Sequence, residues 1–165
     1  TRYPLVTGVQ TCALPISIVI TTFNRDENTK SGTIKNIRFF NVTAKGENGV
    51  LIHGNEDNII EDVTFENCSI ELTKTSKWQC GLYDLRPCLD YGVESYDNSA
   101  FFIRYAKDVN IRKTKTRWGN LCDSYSYAID AANVENLNLY EFDGKSAKEN
   151  TDDIKIDRVK LNYKK

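Results

Sequence analysis

The chain has 165 residues, which suits one domain with its own core. Its 23 acidic and 22 basic residues nearly cancel, so nothing in the charge points to nucleic acid or an anionic membrane as partner. No apolar run approaches the roughly 20 residues of a membrane helix, and five cysteines are too few for a disulfide scaffold. Methionine is absent even at position 1, consistent with a natural start lying further upstream.

Residues 1–16 are set apart before any fold reasoning. One permitted reverse translation of Val6-Thr-Gly-Val-Gln-Thr-Cys-Ala-Leu-Pro-Ile16 resembles a widely used sequencing-library adapter, and the match extends back to Thr1. The segment is therefore expected to be an adapter-derived artefact fused to residues 17–165. The alternative is an apolar strand or the tail of a signal peptide ending near Ala13.

From Ser17 onward one template recurs. Ile34-Lys-Asn-Ile-Arg-Phe-Phe-Asn-Val-Thr-Ala44 returns 26 residues later as Ile60-Glu-Asp-Val-Thr-Phe-Glu-Asn-Cys-Ser-Ile70. Further copies occupy 106–116, 134–142 and, more weakly, 152–161. Apolar and polar residues alternate within each copy, which buries one face of a strand. The alternation predicts an inward column Ile37, Val63, Val109, Leu137, Ile154, beside a second column Phe39, Phe65, Ile111, Leu139, Ile156. After a corner it resumes one residue out of phase, at Val42/Ala44, Cys68/Ile70, Thr114/Thr116, Phe142/Gly144 and Val159/Leu161. A separate strand is expected ahead of each of the first four copies, at 18–21, 50–53, 102–104 and 127–130. Units of this kind cannot bury their own apolar faces and must stack. The expected fold is all-β, a right-handed parallel β-helix (solenoid), with a β-sandwich as the rival.

Asn41 and Asn67 fall at the corner of successive copies. Their amides are expected to turn inward and bond between neighbouring units, although both also begin glycosylation sequons. Lys113, Glu141 and Arg158 take that place later. Cys68 reads as a small core residue.

Between the second and third copies the spacing widens to 46 residues, so a loop insertion is expected at 73–99. Insertions in stacked repeats collect on a binding face. Trp78, Tyr83, Tyr91 and Tyr96 stand there with Asp84, Arg86 and Asp90. Flat rings beside carboxylates and a guanidinium suit a sugar polymer, so Trp78, Arg86, Tyr83 and Asp84 are the candidate substrate-binding residues. The competing role is a private core that holds the loop in place. Cys80 and Cys88 lie close enough in the loop to pair, or remain free thiols. Scattered cysteines and one histidine form no zinc pattern, and no cofactor is implied.

Asn48-Gly-Val-Leu-Ile-His-Gly54, Glu61-Asp-Val-Thr-Phe-Glu-Asn67, Lys77-Trp78, Tyr83-Asp-Leu-Arg-Pro87, Ala100-Phe-Phe-Ile-Arg-Tyr-Ala-Lys-Asp-Val109 and Arg117-Trp-Gly119 together resemble the C-terminal part of family 28 glycoside hydrolases, the polygalacturonases and rhamnogalacturonan hydrolases. The resemblance implies an inverting enzyme acting on pectic polysaccharide, secreted or periplasmic, with a monomeric parent and no nucleic-acid or membrane partner. The family signatures N-T-D, D-D, G-H-G and R-I-K do not occur here in context. His53-Gly54 lacks the leading glycine, Asp152-Asp153 comes after every unit, and Ile111-Arg-Lys113 has the wrong order. No catalytic residue is carried over, and the chain alone is expected to be inactive. His53 reads as a strand-edge histidine facing a turn. A calcium-dependent pectate lyase is one alternative, but Asp57, Asp62, Asp108 and Asp130 show no obvious convergence. A non-catalytic carbohydrate-binding protein of adhesin or tailspike type is the other.

Overall fold

A computed structural model describes residues 16–164, and the adapter-like segment lies almost wholly outside them. The described chain is built of strands: β1 (Ile16–Thr21), β2 (Lys35–Phe40), β3 (Thr43–Gly46), β4 (Asn48–His53), β5 (Ile60–Glu66), β6 (Ser69–Leu72), β7 (Leu82–Asp84), β8 (Val93–Ser95), β9 (Phe101–Arg112), β10 (Lys115–Trp118), β11 (Ile129–Tyr140) and β12 (Ile154–Lys164). They sort into three sheets. One has seven strands in the order β1-β4-β9-β11-β12, with β5 beside β9 and β2 beside β5. The second runs β10-β6-β3, and the third is the β7–β8 hairpin. Pairing is parallel throughout the first two and antiparallel in the hairpin.

The all-β expectation holds, but the right-handed parallel β-helix is corrected. The sheets are unequal and do not stack as the repeated faces of a solenoid. β9 and β11 each run unbroken for 12 residues through the place where two strands per unit were expected. One half of β9 pairs with β4 and the other with β5, so a single strand spans what two strands do earlier. The three-stranded sheet then ends: the fourth copy offers it only an isolated bridge from Asp143 to Lys115. Local bends replace chain breaks. Tyr105, Asp108, Asn133 and Asn136 sit inside β9 and β11 with φ between 48° and 61°, a left-handed conformation that Asn and Asp tolerate best.

Four copies keep the predicted register. Ile37 faces Val63, Val63 faces Val109 and Val109 faces Leu137. Phe39, Phe65, Ile111 and Leu139 pair in the same sequence, and all but the half-buried Phe39 are buried. Phe39 and Phe65 stack with ring centroids 4.5 Å apart. The corner also recurs: Asn41, Asn67, Lys113 and Glu141 all take positive φ, from 46° to 57°. Ala44, Ile70 and Thr116 line up beyond it. Cys68 is buried as expected.

The fifth copy is shifted. Leu161, not Ile154, lies opposite Leu137, and Tyr163 lies opposite Leu139. Ile154 and Ile156 face Ile129 and Ala131 instead. The two alignments differ in which apolar pair meets which column, and alternation alone satisfies both. An extra residue in β11 between Val134 and Leu137 sets the outcome. Arg158 consequently leaves the corner series and comes just before Val159, which pairs with Val134. The Asn41–Asn67 amide ladder forms, at 2.7 Å, but both side chains are exposed rather than inward.

Candidate functional site

β4, β9 and β11 alternate in opposite directions on their two faces. Val50, Ile52, Phe101, Ile103, Ile129 and Ala131 enter the main core, and Leu51 and Phe102 emerge on the other face. Two exposed apolar side chains on a sheet need a cover. Residues 73–99 supply it: Tyr83 and Leu85 bury against Leu51 and Phe102, with Phe23, Tyr91 and Tyr96 at the margin. Tyr96 and Tyr83 pack on Phe102 at centroid distances of 4.8 and 5.3 Å. Tyr83 is 0% exposed, and burial pushes its phenol up to about 12. It cannot touch a polymer at the surface, so its expected substrate contact is replaced by the private-core role.

Three devices fix the loop. At its start, the Glu47 carboxylate accepts from Lys74 Nζ at 2.8 Å, from the Thr75 amide and hydroxyl, and from the Ser76 amide and hydroxyl. Burial opposes ionisation of Glu47, but these donors outweigh it and lower its pKa from 4.5 to about 2. In the middle, Asn98 accepts from the Gly81 amide at 2.8 Å and donates to Asn48 Oδ1 at 2.5 Å. Finally, Cys80 is bonded to Cys122, 42 residues along the chain, while Cys88 stays a free thiol. Of the two alternatives left open for Cys80 and Cys88, pairing with each other or two free thiols, only the free thiol of Cys88 is found. Cys88 lies in the connection between β7 and β8, next to the point where the Leu89 amide donates to Asn24 O.

Among the described residues Trp78 is the most exposed large apolar side chain, at 64%. Its carbonyl accepts from Lys74 Nζ at 2.6 Å, and Lys77 Nζ lies 5.6 Å from its ring centroid. Asp84 and Arg86 do come together, as a two-point pair at 2.8 and 2.7 Å. The hydrogen bonds from Arg86 hold the Asp84 carboxyl below its usual pKa. Arg86 projects into solvent, yet its fork is already filled by Asp84. No contact joins Trp78 to this pair among the described residues. The loop therefore presents two separate exposed features, a free ring and a neutralised ion pair.

Along the sheet margin runs a polar row whose members the sequence did not bring together. Arg104 sits beside His53 on the neighbouring strand and bonds Asp130 at 2.7 Å, with Lys155 Nζ 3.5 Å from the other oxygen. His53 is buried at the end of β4, where its Nδ1–H donates to Gly54 O at 2.7 Å. Burial lowers its pKa, and the nearby Arg104 guanidinium adds to the effect. A neutral imidazole bonded to its own turn, packed against Phe23 and Tyr91, orders the strand end. Among the described residues no carboxylate bonds to it. Asp130 is buried in a structural ion pair, shown by spacing only once Arg104 and Lys155 are brought alongside.

Among the described residues there is no group of three His, Cys, Asp or Glu that could hold a metal ion. Among them no helix is long and apolar enough to cross a membrane. Compared with protein-family models, with curated proteins and with solved structures, the chain matches none.

Proposed function

We propose that the chain is part of a glycoside hydrolase of the polygalacturonase type, supplying scaffold and a rim loop to an enzyme that cleaves pectic polysaccharide. The carrying observation is Trp78, an exposed ring on a loop anchored by the Glu47 hub and the Cys80–Cys122 bond. A ring held out from a rigid base can stack on the apolar face of a sugar with little loss of freedom. The Asp84–Arg86 pair, polar but neutral overall, suits hydroxyl groups better than a free charge would. The resemblance to family 28 hydrolases supplies the substrate class. Hydrolysis with inversion needs two carboxyl groups about 6.5–9.5 Å apart with room for a water. Asp84 and Asp130, two of the carboxylates near this face, are both committed to cations. Since the family signatures that carry the catalytic carboxylates do not occur here in context, the reaction would be carried by residues outside this chain.

The test uses methyl-esterified pectin oligosaccharides, whose rings can stack but whose carboxylates are masked. Binding is followed by isothermal calorimetry and turnover by release of reducing ends. The expected result is weak binding that Trp78→Ala abolishes, with no turnover. Reducing ends released by the purified chain, or binding indifferent to Trp78→Ala, would overturn the reading.

A further inference from the structure

A second surface lies on the opposite stretch of the seven-stranded sheet, toward the ends of β9, β11 and β12. Asn110, Asn138 and Asn162 face one another across these strands and form an amide ladder, with Asn138 donating to Asn110 at 3.1 Å and Asn162 to Asn138 at 2.9 Å. Two residues further along each strand, on the same side, stand Arg112, Tyr140 and Lys164. Lys113 adds a third cation at the corner. Together they line a groove of about 760 Å³, open to solvent, in which Glu66 is the one acid.

The cations in this groove are uncompensated, whereas other arginines of the sheets are paired. Arg38, Arg104 and Arg117 each reach an aspartate on a neighbouring segment. Arg112, Lys113 and Lys164 make no ion pair among the described residues. Glu66 is opposite Arg112 in register without bonding it. Three free cations beside a row of amides, on a chain whose net charge is −1, describe a local anion site rather than a basic protein.

We propose that this groove binds an extended carboxylated polysaccharide, at a site separate from the 73–99 loop. The anionic class comes from the cations, and the saccharide class from the amides. Each Asn in the ladder keeps an N–H and an oxygen lone pair beyond its ladder bond, a donor–acceptor set that matches hydroxyls. The exposed Tyr140 ring offers a stacking face. The amides repeat at the strand spacing, about 4.8 Å, so successive sugars can meet successive strands. A nucleic acid is disfavoured because its affinity comes from many phosphate contacts, and three cations supply few. The inference rests on the saccharide reading above but uses different residues and a different chemistry.

Isothermal calorimetry with de-esterified oligogalacturonate tests it. Arg112→Gln combined with Lys164→Gln should weaken binding at least tenfold, and added salt should weaken the unaltered chain likewise. Trp78→Ala and the control Lys115→Gln, which removes an exposed charge outside the groove, should leave this binding in place. Methyl-esterified oligosaccharide should lose the groove component. Unchanged affinity in the double variant would overturn the groove while leaving the Trp78 reading intact. Equal affinity for esterified ligand, or tighter binding of single-stranded DNA, would also overturn it. Loss of esterified binding in Trp78→Ala alone sustains only the rim loop.

Discussion

Glu47 and Phe65 show what single side chains contribute. Glu47 is buried and ionised because five donors converge on it, and removing that charge leaves those donors facing an acid. Its pKa in the folded chain, about 2, lies below the ordinary 4.5. Its contribution is therefore complete above pH 4.5 and is lost as pH falls from there toward 2. The shift corresponds to about 3 kcal/mol as an upper figure. Denaturant titrations at pH 6 and pH 3 should show a drop that Glu47→Gln removes; equal pH dependence in both chains would discredit the hub. Phe65 is fully buried between Phe39, Phe101 and Ile111, so Phe65→Ala should cost about 3–5 kcal/mol, read from the shift in urea midpoint. A cost below 1 kcal/mol would mean that the column is not the core.

At the scale of elements, the 73–99 insertion divides into parts that the sequence revealed unequally. Its extent and its aromatic content were visible as a gap in the repeat. Which ring would be core and which exposed was not, because Tyr83 and Trp78 differ only in which side of the segment meets Leu51 and Phe102. The disulfide was equally hidden, since spacing brought Cys88 forward while folding brought Cys122. Closing a 42-residue span, this bond should matter to the loop more than to the sheets. Cys80→Ser with Cys122→Ser should speed proteolytic cutting within 73–99 several-fold and leave the strand circular dichroism unchanged. The loop remaining as resistant as before would show that the Glu47 hub and the Asn98 bonds suffice.

For the whole molecule, stability should be graded along the sheet rather than uniform. β9 and β11 are paired on both sides and alternate into a continuous core, whereas β12 pairs only with β11 and is exposed over most of its length. Amide exchange should be slowest in β9 and β11 and at least tenfold faster in β12. Protection of β12 equal to that of β9 would contradict the sheet order. The sequence by itself determined the strand content, four of the five aligned copies and the recurrent corner, because alternation and left-handed turns are local and repeat with the template. Tertiary structure decided the rest: the joining of short strands into β9 and β11, the slide of the fifth copy, the Cys80–Cys122 bond and the clustering of free cations beside the Asn ladder. Each of these depends on which distant segments lie side by side, and no period-two pattern encodes a partner.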